Sequence, residues 1–223
     1  MLKGVIFDFN GTLFFDSQYH LQVFDQLQME IAGRHLTMKE MEEKYAGVPN
    51  TEIFRIMSEG RLSEEECEAY SQKKEEMYRD LVRKTKGGAH LCNGAEELFD
   101  LLKQENIPFT IASASIRENI DFFVETFHLD HCMDPDRIIY DDGTYQNKKE
   151  MFQAAMKKIH ASDHVLVFED SLSGIQCASA LHASLIVIDR KTLHPYYRKY
   201  PEILHTVQDM KEAIPYVKEM IEE

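Results

Sequence analysis

Four short runs, Gly4–Phe9, Phe109–Ala112, Val165–Phe168 and Leu185–Ile188, carry the β-branched and aromatic residues of strands. Three of them read as nearly continuous apolar. That is the pattern of parallel strands covered on both faces, because a strand with one wet face would alternate with polar residues. Helical segments accompany them. Glu96–Gln104 repeats Leu98, Leu101 and Leu102 at helical spacing, and Ser115-Ile-Arg-Glu118 reads as a capping box opening a helix through Phe122, Phe123 and Phe127. Lys149–Ile159 and Ser173–Leu181 follow. Strands alternating with helices predict an α/β fold, a doubly wound parallel sheet with ligands at the carboxyl ends of its strands.

From Asp16 to Gly88 that alternation stops, and no convincing strand appears. Asp16 or Ser17 can cap a helix carrying Tyr19, Val23, Phe24, Leu27 and Ile31. Thr37-Met-Lys-Glu40 is a second capping box. Asn50 or Thr51 opens a third helix, with Gly60 as its stop, and Ser63-Glu-Glu-Glu66 opens a fourth, with Tyr70, Met77, Tyr78 and Leu81 on its apolar side. The reading is an α-helical domain, 16–88, inserted into a core formed by 1–15 and 89–223.

Composition removes several function classes. A net charge of −14 repels a phosphate backbone, so no nucleic-acid partner is expected. No apolar stretch approaches the ~20 residues that span a bilayer, and the N-terminus reads straight into a strand broken by Asp8 instead of a signal peptide. No membrane partner is expected either. Cys67, Cys92, Cys132 and Cys177 are widely spaced, as reduced thiols in a cytoplasm would be.

The polar residues gather at predicted strand ends. Strand one runs into Asp8-Phe-Asn-Gly-Thr12, where Gly11 permits the turn and the small Thr12 hydroxyl lets a ligand approach; an Asx turn ending a strand is the plainer alternative. Val165–Phe168 runs into Glu169-Asp170-Ser171, and adjacent carboxylates on a buried strand end require a cation. With Asp8 they make three carboxylates at one sheet edge, a donor set suited to a hard cation, Mg²⁺ foremost. Ser113 and Ser115 end a third strand beside a helix N-terminus, where hydroxyl and amide donors suit an anion. Lys148 and Lys149 precede a helix, where the macrodipole disfavours cations, so one of them has a separate task or both are solvated.

In order, Asp8-x-Asn10-Gly-Thr12, Ser113, Lys148 and Glu169-Asp170 resemble the four motifs of the haloacid dehalogenase superfamily, and the helical insertion resembles its C1 cap. The likeness spans the chain, including Glu169-Asp-Ser-x-x-Gly-Ile-x-x-Ala178, and is strongest to the branch holding β-phosphoglucomutase and the phosphoglycolate-type phosphatases. It implies a Rossmann-like core with a helical cap, and a Mg²⁺-dependent phosphatase acting on a small phosphorylated metabolite through an aspartyl-phosphate. A β-phosphoglucomutase-like phosphotransferase and an impaired phosphate-ligand binder are the alternatives. By the same resemblance Asp8 is the nucleophile. The Asp8 carboxylate, the Asn10 carbonyl and Asp170 hold the metal, with Glu169 behind them. Ser113 and the Ala114 amide hold phosphoryl oxygens beside Gly11 and Thr12, and Lys148 neutralises charge, with Lys149 in reserve. His20 and Asn50 would face substrate from the cap. A cytoplasmic monomer or weak homodimer is expected.

One position departs from the pattern. Phosphatases and mutases of this family carry Asp two residues after the nucleophile, and here it is Asn10, which cannot carry a proton. Three readings stay open: another proton carrier or an undemanding leaving group, an engineered Asp→Asn replacement, or lost turnover. The haloalkanoate dehalogenases, with Tyr there and no metal, disagree with the retained Glu169-Asp170 pair. Asn50 stands where the phosphonoacetaldehyde hydrolases carry Lys and the mutases Arg.

Overall fold

The computed structural model describes residues 1–45 and 47–222, with the Glu42 side chain left aside. The chain forms two compact units, 1–15 with 90–223 and 16–89. The first strand, β1 (Gly4–Phe7), belongs to the former. The latter carries α1 (Ser17–Ala32), α2 (Met38–Glu40), which runs on into a π-helical turn Met41–Tyr45, α3 (Asn50–Met57) and α4 (Glu64–Lys84). After these come α5 (Ala95–Gln104), β2 (Phe109–Ile116), α6 (Arg117–Phe127), β3 (Ile139–Asp141), α7 (Lys148–Lys158), β4 (Val165–Glu169) and α8 (Leu172–Ser179). The chain then closes with β5 (Ser184–Ile188), the single turn α9 (His194–Tyr197), β6 (Ile203–Val207) and α10 (Met210–Glu222).

The six strands form one parallel sheet in the order β3-β2-β1-β4-β5-β6. This is the doubly wound α/β architecture expected from the apolar runs. The central strands are buried along their length, with every residue of β1 and β4 buried. Aromatic rings fill the layer above β1: Phe7 stacks on Phe168 with centroids 4.9 Å apart and meets Phe99 edge-on at 5.3 Å. Register decides which residues leave the sheet together. Phe7 pairs with Phe168 on one side and Ile111 on the other, so Asp8, Glu169 and the Ser113 region leave at one level.

β3 and β6 are the sheet edges and carry no continuous apolar run. β3 has three residues, one of them buried, and β6 alternates exposure along its length. β2 is longer than expected. Ser115 remains in the strand, Ile116 takes the N-cap position of α6, and no side-chain cap bond forms. The Ser115 capping box is therefore corrected: strand pairing to β3 carries through Ile116↔Asp141 and holds Ser115 extended.

In the 16–89 unit the Thr37 and Ser63 capping boxes both form, each with its reciprocal bonds to Glu40 and Glu66. Asp16 does not cap α1 with its side chain. Its carboxylate, 2% exposed with its residue, instead accepts from the Tyr78 hydroxyl at 2.6 Å and pairs with His20 at 3.0 Å. The apolar side expected for α4 is rotated: Tyr70, Met77 and Leu81 are half-buried, and the buried face is Cys67, Lys74, Glu75, Tyr78 and Val82. Lys74 can be buried because its ammonium is paired with Glu75 at 2.8 Å and lies over the Phe24 and Tyr78 rings. All four cysteines are free thiols, and among the described residues no helix is long and apolar enough to cross a membrane.

Candidate active site

Asp8 begins where β1 stops. Its backbone N–H still donates to the Phe168 carbonyl at 3.0 Å, so the main chain is anchored while the buried side chain leaves the sheet. The chain then coils tightly. The amides of Thr12, Leu13 and Phe14 all point to the Phe9 carbonyl, and Gly11 donates to Phe14 at 2.7 Å. Gly11 has φ 79°, in the left-handed region, and a β-carbon there would collide with Asp170 and Arg190. Phe9 stacked on Phe123 at 4.2 Å pins this turn from below.

From β4, Glu169 and Asp170 enter the same space. Carboxylate oxygens of Asp8, Glu169 and Asp170 lie within 4.8 Å of one another, all buried. Lys148, the first residue of α7, reaches in with its ammonium 2.7 Å from Asp8 Oδ1 and 2.6 Å from Glu169 Oε2. The other Glu169 oxygen accepts from the Asp170 and Ser171 amides and, at 2.7 Å, from the Ser171 hydroxyl. Asp170 pairs with Arg190 through one oxygen and accepts the Thr12 hydroxyl at 3.4 Å on the other.

Three carboxylates thus face two cations. Burial pushes the Asp8 carboxyl well above the usual range. Lys148 pulls it back, while Glu169 and Asp170 push further. Asp170 is pushed up to about 6 by burial, with Arg190 opposing and Glu169 adding. Burial works against the Lys148 ammonium too, but Asp8 and Glu169 outweigh it and its pKa lies above the ordinary value. A buried, oxygen-only set with an excess of negative charge suits a hard divalent cation. Asp8, Glu169 and Asp170 are the carboxylates that could hold one.

On β2, Ser115 Oγ donates to Asn10 Oδ1 at 2.7 Å and Ser113 Oγ to the same oxygen at 3.4 Å. Alternation along β2 puts both hydroxyls on one side. Ala114, between them, is exposed.

Asp8, Asn10, Gly11, Thr12, Ser113, Lys148, Glu169 and Asp170 thus come together at the strand ends. Lys148 makes these contacts and Lys149 does not appear in them. Thr12 is fully buried, and its hydroxyl donates to Asp170 Oδ1 at 3.4 Å. His20 and Asn50 lie in the other unit, where His20 pairs with Asp16 and the Asn50 amide donates to Glu75 at 2.7 Å. Sequence reasoning missed Arg190. Its available signal was position, two residues past the end of β5, the strand beside β4. Ser171 was missed as a Glu169 partner, since its hydroxyl reads first as the N-cap of α8.

Gly174 shows how tightly α8 is set against the site. A β-carbon there would overlap the Glu169 carboxylate. Helix propensity alone favours Gly→Ala by ~1 kcal/mol, whereas overpacking costs ~1–3. Gly174→Ala is expected to show a net loss on the order of 1 kcal/mol in urea unfolding; a gain would mean that Glu169 can move aside freely.

Comparison with known proteins bears on the family and the fold. Residues 2–182 match the family described as haloacid dehalogenase-like hydrolase. A hydrolase of that group, family IA, variant 3, from Entamoeba histolytica superposes with TM-score 0.89 at 31% identity, covering 100% of both chains. The β-phosphoglucomutase of Clostridium difficile gives 0.76 at 20% identity, covering 100% of this chain and 98% of its own. A mutant of CbbY from Rhodobacter sphaeroides, in complex with xylulose-(1,5)bisphosphate, gives 0.75 at 16% identity, covering 95% and 96%.

Proposed function

The chain belongs to the haloacid dehalogenase-like hydrolases, and on that premise we propose that it is a Mg²⁺-dependent phosphatase of the cytoplasm acting on a small phosphorylated metabolite. In this reading 1–15 and 89–223 are the catalytic core and 16–88 the cap domain. The observation that carries it is the Asp8 carboxylate, anchored through its own backbone to β4 and paired with Lys148 beside Asp170. The names of the fold neighbours add support, since one is a phosphoglucomutase and another holds a sugar bisphosphate.

Asp8 attacks phosphorus and carries the phosphoryl group as an aspartyl-phosphate. Lys148 neutralises charge on both the nucleophile and the incoming phosphate, which lets two anions meet. Ser113 and the Ala114 amide hold phosphoryl oxygens. Asp8, Asp170 and the Asn10 carbonyl would hold Mg²⁺, which when bound shields the same anions. Glu169, fixed by Ser171, keeps Lys148 and Asp170 in place.

The test is hydrolysis of an aryl phosphate before and after chelation. Activity is expected to fall to background with EDTA and to return with excess Mg²⁺. Turnover indifferent to both treatments would refute the metal-dependent reading.

A further inference from the structure

Beyond the end of β5 the chain is pinned before it sends a side chain into the strand-end cluster. The Asp189 N–H donates to the Val207 carbonyl at 2.7 Å. Its carboxylate accepts the Tyr197 hydroxyl at 3.0 Å and the Gln208 amide at 3.3 Å, and pairs with His194 at 2.9 Å. The Tyr197 hydroxyl in turn accepts the Arg190 N–H at 3.1 Å, so the main chain is fixed where the Arg190 side chain departs. That side chain, 34% exposed, pairs through Nη2 with Asp170 Oδ2. Gly11 makes room for the pair, since a β-carbon on the β1 turn would overlap both of those atoms. Lys148 is already the counter-ion of Asp8 and Glu169, which leaves Arg190 as the second cation of the cluster. With all three carboxylates ionised, as ligation of a cation requires, the cluster carries one net negative charge with Arg190 and two without it. A divalent cation is drawn more strongly to the second state. A phosphate that follows the cation meets a net positive charge in the first state and none in the second.

Resting on the phosphoryl-transfer reading above, we propose that Arg190 is a positioning residue that acts through Asp170 and divides the charge of the site between its two ligands. It weakens the hold on the divalent cation and strengthens the hold on the phosphoryl anion. The opposite signs separate this role from two others. An arginine that only orients Asp170 would, on removal, cost the roughly 10–100-fold in metal affinity typical of a residue behind a ligand. One that only steadies the fold would lower the unfolding temperature and leave both affinities where they were.

The experiment measures Mn²⁺ binding by electron paramagnetic resonance, and inorganic phosphate binding by calorimetry at saturating Mg²⁺. Both are run at pH 8 and fixed ionic strength on the native chain, Arg190→Gln and Arg190→Lys. Arg190→Gln is expected to bind Mn²⁺ about 10-fold more tightly and phosphate about 10-fold more weakly, the scale on which one close charge shifts the ionisation of its neighbour. Arg190→Lys keeps the charge and loses the planar fork, and is expected to stay near the native chain in both. Tyr197→Phe removes the acceptor of the Arg190 N–H and is expected to move both affinities in the same two directions by less. It carries the test if circular dichroism shows Arg190→Gln unfolded. Cation affinity that falls or stays level, or phosphate affinity that holds, would overturn the role of Arg190 and leave the phosphatase reading intact. A folded native chain that binds no Mn²⁺, or binds it and takes up no phosphate, would overturn the phosphatase reading and this role together.

Discussion

Asp8→Ala is expected to lower phosphoryl-donor turnover by roughly 10⁴-fold or more, the scale on which removal of a covalent nucleophile acts. The neighbouring groups cannot replace it. Glu169 has one oxygen fixed by two amides and a hydroxyl and the other against Lys148, and Asp170 is held by Arg190 and Thr12. The same substitution is expected to leave folding intact. Asp8 is a buried carboxyl whose pKa burial has already raised, so its ionised form is disfavoured, and Lys148 keeps Glu169 as a partner. Thermal unfolding in chelator should therefore stay level or move upward while catalysis disappears. Unchanged turnover would show that phosphorus is attacked from elsewhere.

Lys148→Met is expected to cost in both respects. Its ammonium is shared by two buried carboxylates at 2.7 and 2.6 Å. Removing one such preorganised charge lowers kcat by ~10²–10³. Breaking a buried pair on one side destabilises by about 3–5 kcal/mol, because the remaining charges keep their desolvation and lose their counter-ion. The pH dependence has a definite sign. Asp8, raised by burial and pulled down by Lys148, rises further without it. A carboxyl whose pKa is higher folded than unfolded holds its proton more tightly in the native state, so stability is lost as pH rises through that window. The deficit of Lys148→Met against the native chain, followed by urea unfolding in chelator, should be larger near pH 8 than near pH 5. A deficit independent of pH would mean the lysine contributes through its methylenes alone.

Much of this site was legible because burial on both faces leaves a strong imprint. Val5, Ile6, Phe7 and Val165–Phe168 have no polar residue to face water, so Asp8 and Glu169-Asp170 stand out as the ends of apolar runs. The edge strands left no such imprint. β6 reads Ile-Leu-His-Thr-Val, with Leu204 and Thr206 exposed, and is indistinguishable from loop by composition. Ser115 misled because a Ser-x-x-Glu spacing is a valid helix start, and only the partner strand reveals that the chain is still extended there. The resemblance put Lys148 before Lys149; locally, the turn of α7 that Asn147 begins, with its side chain accepting from the Glu150 amide, sets the two apart. Buried Lys74 and Glu75 broke the hydrophobic stripe of α4, because each is made apolar in effect by the other.

The place of β1 in the sheet also bears on how the molecule is made. It lies between β2 and β4, and Phe7 finds its second partner only at Phe168. On a ribosome β1 must therefore wait for β2 to gain its first partner and for β4 to gain its second, while 16–89 forms a compact unit from contiguous residues. Asp8 is set only when β4 emerges, so any nascent fragment that stops before Phe168 holds the carboxylate without the surroundings that would make it reactive.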